Sequence, residues 1–196
     1  GGSVRNLLLG KPVKDWDLTT NAVPEILLSL FPDAFYDNQF GTVGIPISLQ
    51  PTTYNLQPIV VEITTFRSES EYKDRRRPEK VTWGKTIEED LERRDFTINA
   101  IAIPLSPSVP SVSFDPSISI DPYNGQDDLK NKLIRAVRNP NERFKEDALR
   151  MMRAARLAAQ LDFTIEEETK KAIQEDAMLL PAISGERIRD ELLKIL

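Results

Sequence analysis

The chain has 196 residues, a formal charge of −5, 29% charged and 40% hydrophobic residues, no cysteine and no histidine. The two zeros exclude disulfides, thiolate and imidazole metal sites and any Ser-His or Cys-His nucleophile pair, so catalysis must run on carboxylates, Arg and Lys, hydroxyls and a hard metal ion. No apolar run approaches the roughly 20 residues of a membrane helix, and the acidic balance argues against nucleic acid coating the whole surface, though Arg75-Arg76-Arg77 and the arginines from Arg135 to Arg156 form local basic patches.

In chain order, Gly1-Gly2-Ser3 leads into Val4-Arg5-Asn6-Leu7-Leu8-Leu9-Gly10, which reads as a turn, a short helix and a glycine stop. A glycine pair opening a helix usually follows a strand, so a further strand is expected ahead of it. Asp15 to Thr20 alternates like a strand, and Pro24 to Phe31 reads as an amphipathic helix. Phe40 to Ser48 reads as a strand with a bend, and Ile59 to Phe66 as a β-branched strand. Residues 67 to 84 are charged and carry Pro78 and Gly84, which predicts an exposed mobile loop. Thr86-Ile87-Glu88-Glu89 matches a capping box and opens a helix through Arg93.

Ile98 to Leu105 predicts another strand, and the Ser/Pro-rich stretch 104–119 a surface insertion or hairpin. Asp121-Pro122-Tyr123-Asn124-Gly125 is a turn before a short helix. From Asn139 the pattern is helical, with Gly185 as a break before a last helix that ends without a cap on Ile195-Leu196. The fold class is therefore α+β. An α/β head over 1–138 precedes a helical neck over 139–196, with further chain expected at both ends.

Asp15 and Asp17 stand two apart on a strand and so share one face, where two carboxylates repel unless a divalent cation lies between them. Mg²⁺ takes such oxygen ligands together with substrate phosphates, but a polar strand end gives the same Asp-x-Asp. Glu62 lies in an apolar run, where an unpaired buried carboxylate is costly; a metal or an ion pair with Arg67 would satisfy it. The glycine pair with Arg5 would offer backbone N–H groups and charge to a phosphate, or be only a turn. Arg94 would clamp a triphosphate or form a surface pair. Asp147, Arg150, Arg153 and Arg156 recur every third residue along one side of the neck helix. They are either a row of solvated pairs or an acceptor and a donor fork offered to a nucleobase edge.

Taken together, Gly-Gly-Ser-Val-Arg (1–5), Leu-Leu-Leu-Gly (7–10), Asp-Trp-Asp (15–17), Glu-Ile-Thr-Thr-Phe-Arg (62–67), Arg-Arg-Asp-Phe-Thr-Ile-Asn-Ala (93–100), Asp-Pro-Tyr-Asn-Gly (121–125) and Glu-Asp-Ala-Leu-Arg-Met-Met-Arg-Ala-Ala-Arg (146–156) closely resemble the class II tRNA nucleotidyltransferases, the CCA-adding enzymes, and their bacterial poly(A) polymerase relatives. The resemblance implies a nucleotidyltransferase head with a mixed sheet and flanking helices, and a neck that holds the incoming nucleotide. It implies addition of CMP and AMP from CTP and ATP to the 3′ end of tRNA, in the cytoplasm, with neither DNA nor membrane as partner. Mg²⁺ would sit on Asp15 and Asp17, with Glu62 as third carboxylate. Gly2, Arg5 and Arg94 match the family's nucleotide and phosphate contacts, Asp147 and Arg150 its base-reading pair, Arg153 and Arg156 further nucleotide contacts. Arg75 to Lys80 falls in its flexible loop.

Sibling activities remain open: CC addition, A addition or poly(A) synthesis. So does a nucleotide-binding module that has lost catalysis. Two departures stand out: Asn6, where the family has aspartate, and the long stretch 104–119.

Overall fold

The computed structural model describes residues 1–13, 16–38, 41–47, 59–68, 82–105 and 118–195. Asp15, the Arg75–Lys80 loop and most of the Ser/Pro-rich stretch lie outside the described residues. After helix α1 (Gly2–Leu8) come strand β1 (Asp17–Thr20), helix α2 (Pro24–Leu30) and strands β2 (Phe35–Asn38), β3 (Thr42–Ile47) and β4 (Ile59–Thr65). The four strands form one mixed sheet in the order β1-β4-β3-β2, with β1 parallel to β4 and the other pairs antiparallel. Strand β2 was not foreseen. It has only four residues, and what holds it is its pairing with β3, a non-local fact that periodicity does not carry.

Helix α3 (Ile87–Glu92) begins where the capping box places it, with Thr86 Oγ1 accepting from the Glu89 N–H at 3.4 Å. The reciprocal arm differs, because the Glu89 carboxylate accepts from the Lys85 N–H at 2.8 Å. The strand expected over Ile98–Leu105 is not there. Thr97–Asn99 is a 3-10 turn, and the segment's sheet-like pairing reduces to a single bridge between Ala102 and Ile120. Side-chain hydrogen bonds hold the turn instead: Thr97 Oγ1 donates to Asp128 Oδ2 at 2.7 Å, and Asn99 Nδ2 to Asp95 Oδ1 at 3.0 Å. Such bonds compete with a backbone ladder. The short helix after the turn, α4 (Gly125–Lys130), has Asp121 bridging the N–H groups of Gly125 and Gln126 at 2.7 and 2.9 Å. Glycine is required at 125, since a Cβ there would lie 2.2 Å from the Thr97 carbonyl oxygen.

Beyond α4, the two-residue strands β5 (Leu133–Ile134) and β6 (Thr164–Ile165) pair in parallel around a run of helices. Helix α5 (Pro140–Glu146) carries Pro at its first position, and Asn139 Oδ1 caps the N–H groups of Asn141 and Glu142. Helices α6 (Leu149–Leu161), α7 (Glu167–Asp176) and α8 (Gly185–Leu193) follow, with a 3-10 segment at Ala177–Ala182. Phe96, Ile98 and Ile101 are buried against Ala154 and Leu157 of α6. Each such aliphatic or aromatic side chain stabilises the fold by about 1.5–3 kcal/mol, and together they fix α6 against the turn that follows α3. A second buried cluster, including Phe144, Leu149, Met151 and Ala172, joins α5, α6 and α7.

Candidate active site

The fixed contact between α6 and the 93–101 segment leaves a cleft of about 470 Å³. Its walls are Gly2 and Arg5 of α1, Asp17 of β1, Arg93, Arg94, Asp95 and Asn99 after α3, and Asp147, Arg150, Arg153, Arg156 and Leu157. Every nucleotide-binding candidate read from the sequence is in that list, from positions as far apart as 2 and 156.

Asp17 is exposed on β1, and the backbone that begins α1 comes close to it: a Cβ on Gly1 would stand 3.0 Å from Asp17 Oδ2. Asp17 is in register with Glu62 on the parallel neighbour β4, so the two carboxylates share a sheet face. The expectation that Glu62 is buried is wrong. It is exposed, because its side of β4 faces solvent, and it is not among the residues lining the cleft. It makes no ion pair among the described residues, which removes the pairing with Arg67 as its explanation. No group of three or more acidic side chains able to hold a metal occurs among the described residues, which do not include Asp15. The donor set on this face is oxygen only, as a hard divalent cation requires.

The cationic wall is built on two buried carboxylates that the sequence reading did not single out. Asp90 accepts from Arg94 Nη2 at 2.7 Å, from Arg93 through Nε at 3.0 Å and through Nη2, and from the Arg67 N–H at 3.2 Å. Burial alone would raise its pKa, but Arg94 and Arg93 outweigh it and hold the carboxyl down at about 2. Arg93 shows the other side of the same burial: desolvation pulls it down to about 10 despite its partner. With one Nη on Asp90, Arg94 keeps the donors of its other Nη for a ligand.

Asp95 accepts from the Phe96 N–H at 2.8 Å, from Asn99 Nδ2, and from Arg153 through Nε at 2.7 Å and Nη2 at 2.6 Å. Burial works to raise its pKa, and Arg153 and Asn99 more than reverse that. Asp95 in turn raises that of Arg153. Asn99 then passes the order on, since its Oδ1 accepts from Arg5 Nη1 at 2.8 Å. The spacing Asp90-x-x-Arg93-Arg94 is the signal that would have found the first of these networks, because residues three and four apart on a helix are neighbours.

Asp147 is not on the same helix as the three arginines, as periodicity predicted. It is the residue on which α5 stops, with extended backbone (φ −148°, ψ 102°), and α6 begins two residues later. Its Oδ1 accepts from the Leu149 N–H at 3.1 Å and its Oδ2 from Arg187 Nη2 of α8 at 2.7 Å. Arg150 donates to Glu146 Oε2 at 2.7 Å and to the carbonyls of Arg143 and Arg93 at 3.3 and 3.1 Å. Arg156 donates to the buried Glu191 at 2.6 Å. The arginines are therefore not a solvated i,i+3 row. Each is tied to a carboxylate and turned to the cleft, and Asp147 and Arg150 each retain acceptors or donors beyond those bonds.

Among families of known proteins, the Poly A polymerase head domain matches residues 1–135. The chain belongs to the Poly A polymerase head domain family. A second family, described as the probable RNA and SrmB-binding site of polymerase A, matches residues 162–196. Similar to the chain over all 196 of its residues is the CCA-adding enzyme of Lactobacillus helveticus, 47% identical; the chain spans 44% of that relative's length. The Bacillus stearothermophilus CCA-adding enzyme in complex with CTP superposes on the whole chain with a TM-score of 0.79 at 38% identity, over 42% of its own length. The Thermotoga maritima CCA-adding enzyme complexed with tRNA does so at 0.70 and 30%, again over 42% of its length. The chain thus spans less than half the length of the curated relatives it matches. Among the described residues, no helix is long and apolar enough to cross a membrane.

Proposed function

We propose that this chain is the catalytic part of a Mg²⁺-dependent tRNA nucleotidyltransferase that adds CMP and AMP, from CTP and ATP, to the tRNA 3′ end without a nucleic-acid template. The observation that carries the reading is the make-up of this cleft. Arg5, Arg94 and the Asp17 carboxylate line it together with Asp147 and Arg150. On this reading residues 1–138 are the head and 139–196 the neck, and the nucleotide lies between them. Relatives bound to CTP and to tRNA support the same substrates.

Arg5, Arg94 and the backbone at Gly2 would bind the triphosphate, while Asp147 and Arg150 present an acceptor and a planar donor fork to the base edge. Arg153 and Arg156, fixed by Asp95 and Glu191, would meet the rest of the nucleotide. Asp15 and Asp17, with Glu62 in register on the next strand, would hold the divalent cations. These supply charge neutralisation at the α-phosphate and the leaving pyrophosphate and a lowered pKa for the attacking hydroxyl. The tRNA 3′-oxygen forms a bond to the α-phosphorus as the bond from that phosphorus to the bridging oxygen breaks. Pyrophosphate leaves, and no covalent enzyme intermediate is needed.

The test is single-nucleotide incorporation by the double variant Asp15→Ala, Asp17→Ala. Turnover is expected to vanish while ATP binding persists. Stability is expected to change by no more than about 0.5 kcal/mol, because Asp17 is exposed and its loss removes a like charge opposite Glu62. Normal turnover by that variant would overturn the assignment.

A further inference from the structure

Among the described residues, Arg5 is the cleft cation whose direct side-chain partners are all neutral. Its Nε and Nη2 donate to Asn6 Oδ1 at 3.1 and 2.9 Å, and its Nη1 to Asn99 Oδ1 at 2.8 Å. Arg93 and Arg94 share Asp90, Arg150 is on Glu146, Arg153 on Asp95 and Arg156 on Glu191. In each of those a carboxylate at contact distance cancels much of the field that the guanidinium projects. Two amide oxygens hold Arg5 in place, with Asn99 itself anchored on Asp95, yet put no carboxylate in direct contact with it. Burial lowers the pKa of Arg5, and the neighbouring charges act in both directions: Asp95 and Asp17 support its charge, while Arg156 and Arg153 oppose it.

Resting on the reading of the cleft as a nucleotide site, we propose that Asn6 is a positioning residue that sets the strength of triphosphate binding by holding Arg5 without neutralising it. The α1 geometry makes this possible. Neighbouring helix positions do not normally face each other, but the Arg5 side chain folds back so that two of its donors converge on one oxygen of Asn6. A carboxylate in that place would accept the same two bonds as a charge-assisted pair and draw the guanidinium's field away from the cleft. Asn6 thus exchanges some fold stability for ligand charge complementarity.

The test is titration of the protein with ATP and with AMP, beside thermal melting, for Asn6→Asp and Asn6→Ala. A negative charge placed against Arg5 at this position is expected to weaken ATP binding about three- to tenfold. The tetra-anionic ATP should lose more than AMP, the loss should shrink as salt is added, and the melting temperature of Asn6→Asp should be unchanged or higher. Asn6→Ala, which removes the hold but adds no charge, is expected to lose less ATP affinity than Asn6→Asp. Equal ATP affinity of Asn6→Asp and parent, or equal losses for the Ala and Asp variants, would overturn the charge argument. Failure of the unsubstituted protein to bind ATP would instead remove the functional reading, and this inference with it.

Discussion

Asp90→Asn is expected to destabilise the protein and to weaken nucleotide binding together, because one buried carboxylate holds both Arg93 and Arg94. Its pKa falls from 3.8 to about 2 on folding. At about 1.4 kcal/mol per unit, that displacement corresponds to roughly 2 kcal/mol of stability at neutral pH. The sign follows from the direction of the shift. A carboxyl with a depressed folded pKa contributes fully above its unfolded value, near 4, and the contribution is lost as pH falls towards 2. Arg93, held down at about 10, stays charged throughout that window and adds nothing to the acid limb. Its burial remains a cost that the variant no longer offsets, so the neutral-pH loss should be at least about 2 kcal/mol, and up to the 3–5 kcal/mol typical of breaking a buried pair. Urea unfolding of parent and variant at pH 7, 4, 3 and 2 reads this directly. The gap between them should be widest at pH 7 and close below about pH 3. A gap that stays constant down to pH 2, or no gap at pH 7, would refute the reasoning.

Gly125→Ala is expected to destabilise by about 1–3 kcal/mol in denaturant unfolding, the usual cost of overpacking, because the new methyl meets the Thr97 carbonyl; unchanged stability would mean that the contact relaxes freely. Arg150→Ala should blur the choice between CTP and ATP more than it weakens triphosphate binding. Arg150→Lys should fail to restore selectivity, since a point charge cannot reproduce a planar fork. Competition assays with paired nucleotides read both, and equal loss of affinity for all nucleotides with selectivity intact would count against a base-reading role.

Much of the site was legible because its chemistry recurs in short local patterns. The glycine pair with Arg5, the Arg93–Ala100 segment and the 146–156 segment each advertise their residue types, and the structure gathers seven of those candidates, together with Asp17, into one cleft. What sequence alone did not carry was dependence on distant partners. Asp90 and Asp95 look like ordinary acidic residues until folding buries them among arginines from as far away as position 153. Glu62 was misread for the converse reason: an apolar run implies a buried strand only if both sheet faces are covered, and the Glu62 face is open. The strand expected after Ile98 failed because the Asp128 and Asp95 bonds to Thr97 and Asn99 reward a turn there. Helix periodicity ran through Asp147 because a break of two residues barely disturbs a three-residue repeat.

The most direct test of the central claim is extension of tRNAs ending at the discriminator base, at C or at CC, with Mg²⁺ and single nucleotides, by the protein that contains this chain. Ordered addition of two C and then one A is the predicted result. Stopping after CC, acting only on CC, or making long A tails would keep the cleft and its chemistry but assign a sibling activity. No incorporation by a folded protein that binds ATP would contradict the account.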